Sequence, residues 1–112
     1  MNEERFLPYT ELEVGGKTYM LRLTALAALR LEERLGCSVY AAIKRTDEMK
    51  IVIELLYSLI ESLRPEFKRS DACEVFDEYI SEGGTVASLN GIIAKALKSS
   101  GFFGGASPVQ ES

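Results

Sequence analysis

TDEMKIVIELLYSLIESL, residues 46–63, is the stretch that the rest of the chain has to be arranged around. Between Ile51 and Leu63 the apolar residues Ile51, Val52, Ile53, Leu55, Leu56, Tyr57, Leu59, Ile60 and Leu63 leave only a thin polar stripe. That stripe is Lys50, Glu54, Ser58 and Glu61, spaced by three or four. The period is helical, and a helix with so narrow a wet edge must be covered over most of its circumference. Each large aliphatic side chain withdrawn from water contributes roughly 1.5 to 3 kcal/mol, so this segment alone can supply a sizeable part of a core. Thr46 or Asp47 is expected to open the helix. Arg64-Pro65 is expected to end it, because the residue before a proline is pushed out of helical geometry.

Upstream, two alternating runs flank Gly15-Gly16. Thr10, Leu12 and Val14 alternate with Tyr9, Glu11 and Glu13, then Lys17, Tyr19, Leu21 and Leu23 alternate with Thr18, Met20 and Arg22. Alternation about a two-glycine joint predicts a β-hairpin, since the tight primed turns need a positive φ that glycine adopts without strain. A lone two-stranded ribbon is marginal in water, so its apolar face should lie on helices. Thr24 can then cap a helix over residues 25–35 that Gly36 closes in the left-handed conformation. Ala28, Leu31 and Leu35 mark its inner face, with Leu26 or Leu29 beside it, while Arg30, Glu33 and Arg34 stay wet. Ser38 looks like the cap of a short helix to about Arg45, with Val39, Ala42 and Ile43 inward.

Downstream, Asp71 followed by Glu74 has the form of a capping box and predicts a helix with Ala72, Val75, Phe76, Tyr79 and Ile80 on one face. Gly83-Gly84 should stop it. Thr85 caps the last helix, whose apolar face is Val86, Leu89, Ile92 or Ile93, Ala96 and Leu97, and Gly101 ends it. The fold class that follows is α+β, mostly helical, with an N-terminal two-stranded β-hairpin packed on about five α-helices. Residues 1–100 form one domain, and the glycine- and serine-rich residues 101–112 are expected to be a flexible tail.

The bulk numbers narrow the function. At 112 residues the chain is one domain, able to bury roughly two thirds of its unfolded surface. A net charge of −4 offers no overall positive field for phosphate backbones, so no nucleic-acid partner is expected. No apolar run reaches the ~20 residues a bilayer requires, and MNEERF leads into no secretory core, so neither a membrane span nor a signal is expected. Cys37 and Cys73 match no zinc spacing and suit reduced thiols in a cytoplasm.

Histidine is absent, which removes the usual general base, the usual triad member and most zinc and iron sites. No catalytic residue, cofactor or metal ligand is therefore assigned, and an enzyme is not expected. Cys37 ahead of the second helix could have a lowered thiol pKa but lacks a partner nearby in sequence. Cys73, between apolar neighbours, reads as buried packing. Glu74, Asp77, Glu78 and Glu82 read as a solvated acidic face, and Arg64, Lys68 and Arg69 as a wet basic loop. The last two helices could form a helix-turn-helix presenting Ser88, Asn90, Lys95 and Lys98, a thin set for reading bases. Phe102 and Phe103 are the candidate partner-binding residues: either they fold back onto the core or they form an apolar anchor for another chain.

The hairpin VGGKTYMLRLT, residues 14–24, running at once into ALAALRLEERLGCSVYAAI, residues 25–43, resembles the tail assembly chaperones of long-tailed bacteriophages and prophages. The residues that carry the likeness are Gly15, Gly16, Lys17, Tyr19, Leu21, Leu23, Thr24, Leu31, Glu32, Leu35 and Gly36, and it is sharpest over residues 12–45. What the resemblance implies is a small binding protein in the cytoplasm of a bacterial host. Such a protein coats the apolar, helical tape-measure protein and keeps it soluble while the tail tube polymerises. The tape-measure protein is then the expected partner, with the tail tube protein a second candidate and a homo-oligomer left open. The family often makes a longer product by translational frameshifting, and it has no catalytic residues to carry over. The alternative reading is a small prophage-encoded DNA-binding regulator using the last two helices. A small enzyme working through Cys37 comes third.

Overall fold

A computed structural model describes residues 9–102. The elements run β1 (Thr10–Val14), β2 (Lys17–Leu21), α1 (Ala25–Leu35), α2 (Val39–Ile43), α3 (Met49–Glu61), α4 (Arg69–Ser81) and α5 (Val86–Ser99). The fold is α+β and mostly helical, with an N-terminal hairpin followed by five helices among the described residues. The strands pair antiparallel from Thr10 opposite Leu21 to Val14 opposite Lys17. Gly15 and Gly16 have φ of 61° and 76°, the two consecutive positive values that a tight hairpin turn demands. Register follows from this turn, and it puts Leu12, Val14, Tyr19 and Leu21 on the covered face.

Helix α3 is the centre of the molecule, packing against α1, α4, α5 and β2. Leu55, Leu56, Leu59 and Ile60 meet Leu31 of α1, Leu21 and Leu23 of the hairpin segment, and Leu89, Ile93 and Leu97 of α5 in one hydrophobic cluster. The hairpin is tied in at both ends. Near α3, Arg22 donates its N–H to the Leu59 carbonyl at 2.9 Å, and the Ser62 hydroxyl donates to the Arg22 carbonyl. Near α5, the Leu23 N–H donates to Ser100 Oγ at 2.9 Å, and the Thr10 and Ser99 hydroxyls lie 3.2 Å apart. At the tip, the Gly15 N–H donates to Glu82 Oε2 at 2.9 Å, while a Cβ on Gly15 would lie 2.3 Å from the Glu78 carboxylate. The positive φ favours glycine at position 15, whereas the exposed Glu78 side chain could swing aside from a Cβ.

The helix caps follow the sequence closely where a hydroxyl is available. Thr24, Ser38 and Thr85 each accept from the amide three residues on. Gly36, at φ 72°, returns its N–H to the Glu32 carbonyl. Gly83 and Gly84 close α4 with N–H bonds to the Ile80 and Tyr79 carbonyls, the paired bonds of a Schellman end.

Three boundaries differ from expectation. Helix α3 opens at Met49, not after Thr46 or Asp47, because the connection from α2 is held as a turn: the Glu48 N–H donates to the Arg45 carbonyl, and the Arg45 guanidinium grips both Glu48 oxygens at 2.9 and 3.0 Å. At its other end α3 tightens into i→i−3 bonds from Leu63 and Arg64 ahead of Pro65. Helix α4 begins at Arg69, two residues before Asp71. Asp71 sits in the first turn and accepts the Lys68 N–H at 2.9 Å, so it supplies the returning carboxylate of the cap, not its start.

Two expected faces also change. On α1, Ala27 joins Ala28 and Leu31 inside, Leu35 is half-buried, and both Leu26 and Leu29 point outward. On α3 the middle of the expected wet stripe is covered, with Glu54 7% and Ser58 1% exposed, while Lys50 at its start stays exposed and Glu61 is half-buried. Arg34, expected to stay wet, reaches across from α1 with Nε 2.9 Å from Glu54 Oε1 and Nη2 2.8 Å from Ser58 Oγ. Arg69 brings Nε to 2.6 Å from Glu54 Oε2. Both guanidiniums stand 5.2 Å from the centre of the Tyr57 ring. Burying a carboxylate is tolerable only with such partners, and here each oxygen of Glu54 accepts from one guanidinium. Among the described residues no helix is long and apolar enough to cross a membrane.

Candidate functional site

Phe102 folds back. Gly101, at φ 99°, donates its N–H to the Lys98 carbonyl at 3.0 Å, and the Phe102 N–H returns to the Leu97 carbonyl at 2.9 Å. This again is a Schellman end, in which the residue after the glycine characteristically makes an apolar contact with the last turn. The Phe102 ring accordingly lies half-buried against the core. A large apolar residue directly after a helix-ending glycine was the signal for it. Phe103 and the rest of the tail lie outside the described residues.

Apolar surface is displayed on α1. Leu26 and Leu29, three apart and so on one face, are 57% and 66% exposed. Beside Leu26 a groove of about 300 Å³ runs between the start of α1 and the end of α3. Thr24, Leu26, Ala27 and Pro65 contribute to its walls, and Arg30 and Glu61, 4.0 Å apart, stand at its polar edge. This face has the makings of a shallow seat for an apolar helix, with a polar rim around it.

A second cleft, of about 240 Å³, opens between β2, the α3–α4 connection and α4. Its floor is aromatic: Tyr19 meets Phe67 edge-on with ring centres 6.1 Å apart and planes at 62°. Phe67 in turn stacks on Tyr57 at 6.5 Å. Arg64 holds its guanidinium 5.5 Å from the centre of the Tyr19 ring. Glu66, Asp71, Glu74 and Glu78 bring carboxylates to the same cleft. The basic loop and the acidic face are exposed, as the sequence suggests, but several of their charges have partners within the chain. Arg69 is committed to Glu54, Arg64 covers an aromatic ring, and Glu82 caps the hairpin tip. Sequence spacing could not find this cleft, because β2 and α4 lie some fifty residues apart in the chain.

Cys37 is half-buried and Cys73 is exposed, the reverse of buried packing for Cys73, and both thiols are free. The first turn of α4 inserts Ala72 and Val75, and the 3.6-residue period leaves position 73 outside. Cys37 Sγ lies 3.5 Å from Arg45 Nη1. The hydrogen bonds from Arg45 hold the Glu48 carboxyl below the usual carboxylate range, and Glu48 raises Arg45 in return. Of the four side chains that a DNA-reading α5 would present, two are engaged within the chain: Ser88 Oγ lies 2.5 Å from the Tyr79 hydroxyl, and the Asn90 amide donates to the Thr46 carbonyl at 3.2 Å. Among the described residues no group of three or more cysteines and carboxylates is arranged to hold a metal ion. Set against models of protein families, curated proteins and solved structures, the chain matches none.

Proposed function

We propose that this chain is an assembly chaperone of the kind residues 12–45 resemble, binding the tape-measure protein of a phage or prophage tail and keeping it soluble during tail tube assembly. The observation that supports this reading best is the outward leucine pair, Leu26 and Leu29, on a helix whose inner face is already filled by Ala27, Ala28 and Leu31. A helix that needs only its inner face for packing carries two large apolar side chains in water, and α1 lies within the resembling segment. Helix-against-groove contact of this kind is small and weak for one copy, so many copies along one long client would hold it by multivalency. The chain is proposed to carry out no reaction of its own and to act in the cytoplasm of the bacterial host. The tail tube protein and further copies of the chain are the other proposed contacts.

The test is co-expression with a tape-measure protein. The client should be soluble and co-purify with the wild-type chain, and it should be lost to the insoluble fraction when Leu26 and Leu29 are both replaced by serine. Phe102→Ser with Phe103→Ser serves as the parallel arm: loss of client there, with the α1 variant still active, would move the contact to the C-terminal aromatics. A purified chain that ignores both tape-measure and tail tube proteins would overturn the proposal.

A further inference from the structure

We propose that the cleft between β2 and α4 receives one basic side chain, lysine or arginine, of a partner polypeptide. This is independent of the chaperone reading and uses none of its α1 residues. At about 240 Å³ the cleft lies below the usual size of small-molecule pockets, and suits one extended side chain. Its chemistry is that of a cation receptor: an aromatic floor of Tyr19 and Phe67 under carboxylates from α4 and the preceding connection. The faces of aromatic rings attract ammonium and guanidinium groups, and the attraction grows when the cation is partly desolvated.

A further observation points to an occupant: the floor already carries a guanidinium of the chain itself. Arg64 stands over Tyr19 at 5.5 Å, is half-exposed, and touches a carboxylate only loosely, with Nε 4.0 Å from Glu66 Oε2. Arg64 thus acts as a stand-in that can swing into water when a partner's side chain arrives. Lys17 is the other cation on the cleft wall, so four carboxylates face two cations and the cleft keeps a negative excess. Asp71 is committed to the Lys68 N–H, which leaves Glu74 and Glu78 to meet the arriving charge.

The experiment is an amide NMR titration of the full chain with the N-acetyl methylamides of lysine, arginine and norleucine, and with n-butylammonium. Saturable shifts at Tyr19, Phe67 and Glu74 from the lysine or arginine probe, with none from norleucine, are expected. Arg64→Ala should tighten that binding about threefold by removing the resident competitor, and Glu74→Gln with Glu78→Gln should weaken it about threefold, as for partly exposed charge pairs. These positions are exposed, and unchanged resonances away from the cleft verify the fold in each variant. Equal shifts from norleucine, or an Arg64→Ala chain that binds no better than wild type, would overturn the proposal. Binding of n-butylammonium with neither the lysine nor the arginine amide admitted would overturn the polypeptide as its source.

Discussion

Helix α3 hides two polar residues, Glu54 and Ser58, under arginines from other helices, whereas α1 holds two leucines out in solvent. Both arrangements invert the ordinary sorting of side chains, and they do so for opposite reasons. On α3 the carboxylate is covered because α1 and α4 converge on it, and each supplies a guanidinium that makes burial tolerable. On α1 no described residue comes across to cover Leu26 or Leu29. An inverted position that is compensated belongs to the fold; one left uncompensated is available for another molecule.

That contrast can be broken at several points. The deepest is the apolar side of α3, where Leu59→Ala removes a fully buried side chain and should cost about 2 to 5 kcal/mol by chemical denaturation. Next is Glu54→Ala, which strands Arg34 and Arg69. Because both arginines reach solvent, the loss should be about 1 to 3 kcal/mol, less than for a fully enclosed pair. Replacing Glu54, Arg34 and Arg69 together by Met should restore much of that loss, and a triple variant no better than Glu54→Ala would sink the compensation argument. Gly15→Ala should cost about 1 to 2 kcal/mol, since the position needs a positive φ.

A smaller effect belongs to Glu48, whose carboxyl is held low by Arg45. A depressed carboxylate contributes stability that is present above its unfolded pKa and lost as pH falls through the folded one. The difference in Tm between wild type and Glu48→Gln should therefore be slight at neutral pH and vanish below the carboxylate range. Smallest of all is the α1 pair: Leu26→Ser with Leu29→Ser should leave stability within about 0.5 kcal/mol. A large loss there would show that these leucines serve the fold after all.

Several features were legible because their causes are local. A hairpin turn needs two left-handed residues and Gly15-Gly16 provides them; Thr24, Ser38 and Thr85 cap the helices that follow because a hydroxyl in that position reaches the amide three residues on. Glycine at 83 and 101 ends helices for the same local reason. The misreadings share a cause as well. Asp71 was one of two positions a capping carboxylate can occupy, and the choice was settled when Arg69 was drawn to Glu54 on another helix. A faint signal for the charge cluster did exist, in the spacing of Glu54 and Ser58 by four within an otherwise apolar helix. Nothing local named their partners.

The amino-acid order by itself determined the elements, their caps, the α+β class and the central place of α3, since each rests on interactions between residues a few positions apart or on the period of apolar side chains. Only the tertiary structure decided which polar groups are buried, that Phe102 folds inward while Leu26 and Leu29 remain outside, and that an acidic cleft forms over Tyr19. Those outcomes depend on which side chains from distant segments arrive at the same place, and a charge is stabilised or an apolar group covered only by what is there to meet it.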